Sequence, residues 1–156
     1  MYTPETEGID HINSYSKSKT QLGKLLSNFT YSPINLKNDG QFNSIEGYWY
    51  WLLCVGHPER DRLRSLSGFK AKQEGRKLSQ GDWRDDEEFK QKIKKALWCK
   101  LRFNRGLKNL LRESTLPIVH YYAYGNPPRV TTPSNGKWLW EWYEEARKYL
   151  KDNPNK

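Results

Sequence analysis

Cysteine is scarce in this chain: Cys54 and Cys99 are the two present, each inside an aromatic or aliphatic run. Buried free thiols are expected from that setting, not a disulfide framework. Two isolated cysteines and the three scattered histidines His11, His57 and His120 do not make a zinc site, so no metal is expected. Long apolar runs are missing too. No stretch approaches the roughly 18 apolar residues of a membrane span, and the start "MYTPETEGIDHINSYSKSKT" has no signal-peptide core. These absences exclude a membrane partner and predict the cytoplasm, or the host cytoplasm for a virus-encoded chain. There is no Walker or dinucleotide fingerprint, so no bound cofactor is expected. No Ser/His/Asp or Cys/His nucleophile arrangement is recognisable. A helix-turn-helix signature is absent, and the basic residues read as dispersed instead of gathered on one helix.

Rings and positive charge are what the chain does have. Only 35% of its 156 residues are hydrophobic, yet 14% are aromatic, with seven Trp and ten Tyr. The core must be built largely from rings, which bury much area and keep a polar handle. The net charge of +9 draws anions. Nucleic acid, nucleotides and phosphorylated metabolites all fit, and so does simple solubility by charge.

The length suggests one domain. Residues 1–11 are polar and read as a flexible segment, with a single domain over 12–152. "LLSNFTYSPINL" (Leu25–Leu36) reads as extended, and Asp39-Gly40 as a hairpin turn. Ser44 is placed to cap a helix from Ile45 to Val55, closed by Gly56. Pro58 opens a short helix, and "FKAKQEGRKLSQGDW" reads as a helix or turn feeding a loop. A long helix follows the acidic turn Asp85–Glu88, with Phe89, Ile93, Leu97 and Leu101 inward and helical character to Glu113. Leu116–Gly125 reads as a strand, "NPPRVTTPSNGK" as a loop, and "WLWEWYEEARKYL" as the last helix. The sum is one α+β domain, mainly helical with a small antiparallel sheet.

The aromatic run "NSIEGYWYWLL" carries one acid, Glu46, at its start. Behind a Ser44 cap, Glu46 is at the second helical position, where exposed N–H groups favour negative charge. Trp49 and Tyr50 share its face. A carboxylate held ionised there, with rings as walls, suits an electrostatic or general-base role at a developing cation. From the residues alone, a helix-start acid that merely complements the dipole is the favoured reading. Lys70, Lys72 and Arg76 form a basic group fit for a pyrophosphate, or an ordinary solvated face. Trp83, in "GDWR", either stacks on a nucleobase or caps the core.

Several pieces line up in order: "INSYSKSKTQLGKLLSNFTYSPI", "DGQFNSIEGYWYWLL", "AKQEGR", "DW" and "IKKALWCKLRFNRGLKNLL". Over residues 12–119 they resemble the NADAR (YbiA-like) family, with its S-N-F segment, its S-x-E-H helix, its G-R turn, its loop Trp and its K-F-x-x-N/H helix. The resemblance implies a YbiA-like fold and cleavage of N-glycosidic bonds in phosphorylated ribose compounds, including ADP-ribosylated nucleobases and riboflavin-pathway intermediates. It makes Glu46 the functional glutamate and matches Trp83 and Arg76 to the loop Trp and the turn arginine. Ser27, Asn28 and Phe29 match the segment lining the site. Three departures stand out. The usual histidine is replaced by Gly47, His120 stands where an acid is expected, and no Asp precedes Gly125. They mark a divergent member and bear on catalysis more than on the nucleotide pocket; a bacteriophage origin is a separate expectation.

Three readings follow. The first is an N-glycosidase for an ADP-ribose-type nucleotide or an ADP-ribosylated nucleobase in nucleic acid. The second is a non-catalytic protein that sequesters an ADP-ribose-derived signal, an anti-defence role for a virus. The third is plain nucleic-acid binding through charge.

Overall fold

Helix starts in this chain are written in its hydroxyl and carboxyl side chains. In the computed structural model, which describes residues 1–156, Thr20 caps α1 (Gln21–Leu26) by accepting the Gly23 N–H at 3.0 Å. Ser44 caps α2 (Ile45–Leu53) by accepting the Gly47 N–H, also at 3.0 Å. The remaining helices are α3 (Gly68–Ser79), α4 (Glu87–Phe103, capped by Asp86), α5 (Arg105–Glu113) and α6 (Lys137–Asp152). The strands are β1 (Ile12–Asn13), β2 (Ile34–Leu36), β3 (Gly40–Phe42), β4 (Ile118–Val119), β5 (Tyr122–Tyr124) and β6 (Arg129–Thr131). They form three two-stranded pairs: β1 with β4 in parallel, β2 with β3 and β5 with β6 antiparallel. The fold class is α+β, mainly helical, as expected. No helix is long and apolar enough to cross a membrane.

The chain divides into two compact units, residues 28–105 and residues 1–27 with 106–156. In the central unit, the β2–β3 hairpin pairs Ile34 with Phe42, so both side chains fall on its buried face. The Asp39-Gly40 turn is where it was expected, with Gly40 at φ +88°. Helix α2 packs against α3, against α4 and against a 3-10 turn, Arg60–Ser65. Trp51 fastens that turn: its Nε1 donates to Asp61 at 2.9 Å, and the Arg60 guanidinium lies 3.6 Å from its ring centre. Helix α4 buries Phe89, Ile93, Leu97 and Leu101, the stripe read from the sequence. The same stripe holds Lys100, whose fully buried ammonium is pulled down to about 7 by desolvation.

The other unit is built around α6, whose Leu139, Tyr143, Ala146 and Leu150 are buried as expected. Segment 1–11, expected to be loose, holds a 3-10 turn at Pro4–Thr6 and the Glu7 carboxylate hydrogen-bonded by Ser18. His11 is fully buried: Nδ1 donates to Asp10 at 2.6 Å, and the Tyr121 hydroxyl lies 2.8 Å from Nε2.

Four local readings change. Leu25–Leu36 is not one extended run, because Leu22 and Leu26 share a buried helical face and keep the chain in α1 to Leu26. The long helix breaks at Asn104 (φ −122°, ψ 85°), which separates α4 from α5. Leu116–Gly125 is two strands: between them, Asn13 accepts the Tyr121 N–H at 2.9 Å and donates to the Tyr121 carbonyl at 3.0 Å. A side chain thus replaces the sheet ladder. The stretch read as a loop contains β6, paired with β5 through Ala123 and Val130.

Candidate active site

Glu46 is where the central unit concentrates opposite tendencies. Its backbone N–H donates to the Asn28 carbonyl at 2.9 Å, and the next carbonyl, Phe29, accepts the Gly68 N–H at 2.7 Å. The Asn28–Phe29 segment therefore bridges the starts of α2 and α3. Helix α3 presents Lys72 and Arg76 one turn apart, and both charges act on the Glu46 carboxyl. Lys72 also lies 5.8 Å from the centre of the Phe29 ring.

The close approach of α3 to α2 depends on Gly75. A Cβ there would fall 2.1 Å from Cγ and 2.6 Å from Cβ of Tyr50, so no other residue fits. Tyr50 occupies that space, and a hydrogen bond from Arg76 partly offsets the burial that raises its phenol. Glu46, Tyr50 and Arg76 thus form one electrostatic group.

Glu46 was expected to be held ionised by the helix end. The structure reverses that. Protein atoms wrap the side chain, although part of it still reaches the surface. Burial pushes its carboxyl up to about 7, and the Lys72 and Arg76 charges only partly pull it back. Desolvation of a carboxylate outweighs two flanking cations here. The group is close to half-protonated at neutral pH, which suits proton transfer better than a permanent charge.

The aromatic side of the site is continuous. Trp49, one turn after Glu46, is buried and meets the Phe89 ring edge-on at 4.8 Å. Trp83 lies 6.0 Å from the Trp49 ring and stays 49% exposed. An exposed indole resting on a buried one offers a face for stacking.

Asn28, Phe29, Glu46, Trp49, Tyr50, Lys72, Arg76 and Trp83 all belong to the central unit. Lys70 does not join the group. Two residues on a helix turn the side chain about 200°, and Lys70 is exposed. Ser27 is buried at the end of α1, in the other unit, where its N–H donates to the Lys24 carbonyl. Sequence reasoning missed Gly75 and the Asn28 carbonyl. A glycine inside an otherwise good helical segment was the available signal for the first; a backbone carbonyl leaves none.

These features define a mainly helical α+β fold carrying a helix-borne acid beside two cations and an aromatic shelf. No family model and no curated protein matches the sequence. Among solved structures, the NMR structure of the E. coli protein YbiA is similar, with a TM-score of 0.65. The match covers 93% of this chain and 87% of YbiA at 24% identity. The fold is YbiA-like.

Proposed function

We propose that the chain is a divergent NADAR-type N-glycosidase acting on an ADP-ribose-type nucleotide or an ADP-ribosylated nucleobase. The observation that carries this reading is Glu46, partly buried, with Lys72 and Arg76 facing it from α3. In this reading the two cations take the pyrophosphate, Trp83 stacks on a base, and Glu46 faces the ribose C1′. The C1′–N bond breaks with its electron pair leaving on the base, through an oxocarbenium-like state. Water supplies hydroxyl to C1′ and a proton to the departing base. Ionised Glu46 takes the proton from that water and returns it.

Free-enzyme kcat/KM should rise with pH through about 7, because ionised Glu46 is the active form. Phosphates on Lys72 and Arg76 cancel charges that favour the carboxylate. The kcat limb should therefore lie higher in pH than the kcat/KM limb.

A second reading is a sequestering protein that binds such a nucleotide intact; in a virus it would be anti-defence. It is favoured by the missing second acid: His120 stands where the resemblance expects an acid, and no Asp precedes Gly125. One experiment separates the two. The protein is incubated with oligonucleotides bearing an ADP-ribosylated nucleobase, each base in turn, and, separately, with cyclic ADP-ribose isomers, then denatured and chromatographed. Free ADP-ribose produced over many turnovers supports the enzyme. Intact ligand released in stoichiometric amount supports sequestration. Glu46→Gln should lower turnover by about two to three orders of magnitude; unchanged turnover removes Glu46 from the mechanism.

A further inference from the structure

Basic residues occur throughout the chain, but the net positive charge is concentrated in one stretch. The stretch Phe89–Arg112 holds nine Lys and Arg and no Asp or Glu. With 27 basic and 18 acidic residues in total, the rest of the chain has eighteen of each and is neutral. The whole net charge of +9 is therefore matched by this one stretch, which runs from the second residue after Glu87 on α4 to the residue before Glu113 on α5.

Several of those bases are already engaged. Lys100 is buried, and Lys92 lies 3.6 Å from Glu88. On α5, Lys108 donates to the Lys156 carbonyl at 2.5 Å and Arg112 to the Leu150 carbonyl at 3.1 Å. Lys95, Arg102 and Arg105 remain exposed. Lys95 and Arg102 are seven residues apart, two helical turns, so they align on one face about 10 Å apart along the axis. That face is opposite the buried stripe of α4. Beside Arg102, Phe103 presents 65% of its surface to solvent.

We propose that the solvent face of α4 and the start of α5 dock single-stranded nucleic acid, with Lys95, Arg102 and Arg105 on phosphates and Phe103 beneath an unpaired base. A cationic track flanked by an open ring, here about 100° round the helix from Arg102, is the combination that follows a strand without reading its sequence. A duplex hides the base faces that Phe103 needs, so the unpaired strand is the favoured occupant. The proposal does not depend on Glu46.

The test is fluorescence anisotropy with a labelled thymidine oligonucleotide of about 20 residues, long enough to span such a site, and with a duplex of equal length. Neither carries ADP-ribose, so failure here leaves the glycosidase reading untouched. Three phosphate contacts predict a log–log salt slope of about −2. Lys95→Glu with Arg102→Glu should weaken binding at least about tenfold and bring the slope above about −1. Phe103→Ala should weaken it about tenfold at every salt concentration with the slope retained. Lys148→Glu with Lys151→Glu, an equal charge change on α6, should bind like the parent. The proposal is overturned if both double variants lose binding equally, if Phe103→Ala binds like the parent, or if the duplex binds tighter. Circular dichroism checks folding, and Lys95→Gln with Arg102→Gln replaces the reversal variant if that one is unfolded.

Discussion

Replacing Glu46 with glutamine should make the protein more stable, and only above a definite pH. Burial holds the folded-state carboxyl near 7, against an ordinary value of 4.5. Below pH 4.5 the group is protonated in both folded and unfolded chains and contributes no pH dependence. Between 4.5 and 7 the unfolded chain has released the proton while the folded chain retains it, so stability falls as pH rises. Above about 7 both are ionised and the penalty is complete. At 1.36 kcal/mol per pH unit the full penalty is about 3 kcal/mol. Glutamine has nearly the same shape and never ionises. The difference between variant and parent should therefore grow from near zero at pH 4 to about 3 kcal/mol at pH 8. In a domain of this size that is a rise in Tm of about 10 °C. Urea denaturation followed by tryptophan fluorescence, at several pH values, reads the difference directly. Equal stability at pH 8, or a less stable variant, refutes the reasoning. Lys72 and Arg76 would then be holding the carboxylate ionised after all.

Gly75→Ala drives a methyl to 2.1 Å from the Tyr50 ring, and overpacking of that kind costs about 1–3 kcal/mol. That outweighs the gain of about 1 kcal/mol in helix propensity, so calorimetry should show a lowered Tm. Ser44→Ala removes the α2 cap and the 2.9 Å bond to the Leu66 carbonyl; about 1–2 kcal/mol should be lost in denaturant melts. Trp83→Ala should barely change stability, because the ring is half exposed. On the proposed reading it weakens nucleotide binding about tenfold or more by calorimetric titration.

Where one physical signal dominated, the sequence was readable. Ser44 ahead of an apolar run has no better use than a cap, and α2 starts at Ile45. The four-residue repeat of Phe89, Ile93, Leu97 and Leu101 admits one buried face. What stayed hidden depends on neighbours distant in sequence. The stretch 118–124 is rich in strand formers, and Asn13, bonded to both main-chain groups of Tyr121, divides it. Lys100 lies in an apolar stripe, where its charge argued for the outer face, yet it is buried. At the candidate site, the acid and its two cations were legible from residue type. The protonation of Glu46 was not, because burial is a property of the packed chain and no local pattern encodes it.

Gly47 stands where the sequence resemblance leads one to expect histidine, and it bears on the chemistry of its neighbour. Glycine inside a helix costs about 0.5–1 kcal/mol relative to alanine, so its place in α2 needs a reason. A Cβ at Gly47 would fall 2.6 Å from the Leu63 carbonyl oxygen and 3.3 Å from that of Leu66. Those carbonyls are held by the Arg60–Ser65 turn, itself fastened by Ser44 Oγ on the Leu66 carbonyl and by Trp51 on Asp61. Any side chain at position 47, histidine included, would require that turn to move away, so glycine there and the seating of the turn go together. On the proposed reading, no imidazole then stands beside Glu46 to share a proton. The carboxyl must both accept the proton from water and deliver it to the leaving base. A carboxyl at its ordinary value accepts protons poorly at neutral pH; one raised to about 7 can do both. On that reading, the same burial that weakens the fold above pH 7 lets one side chain both take and return the proton.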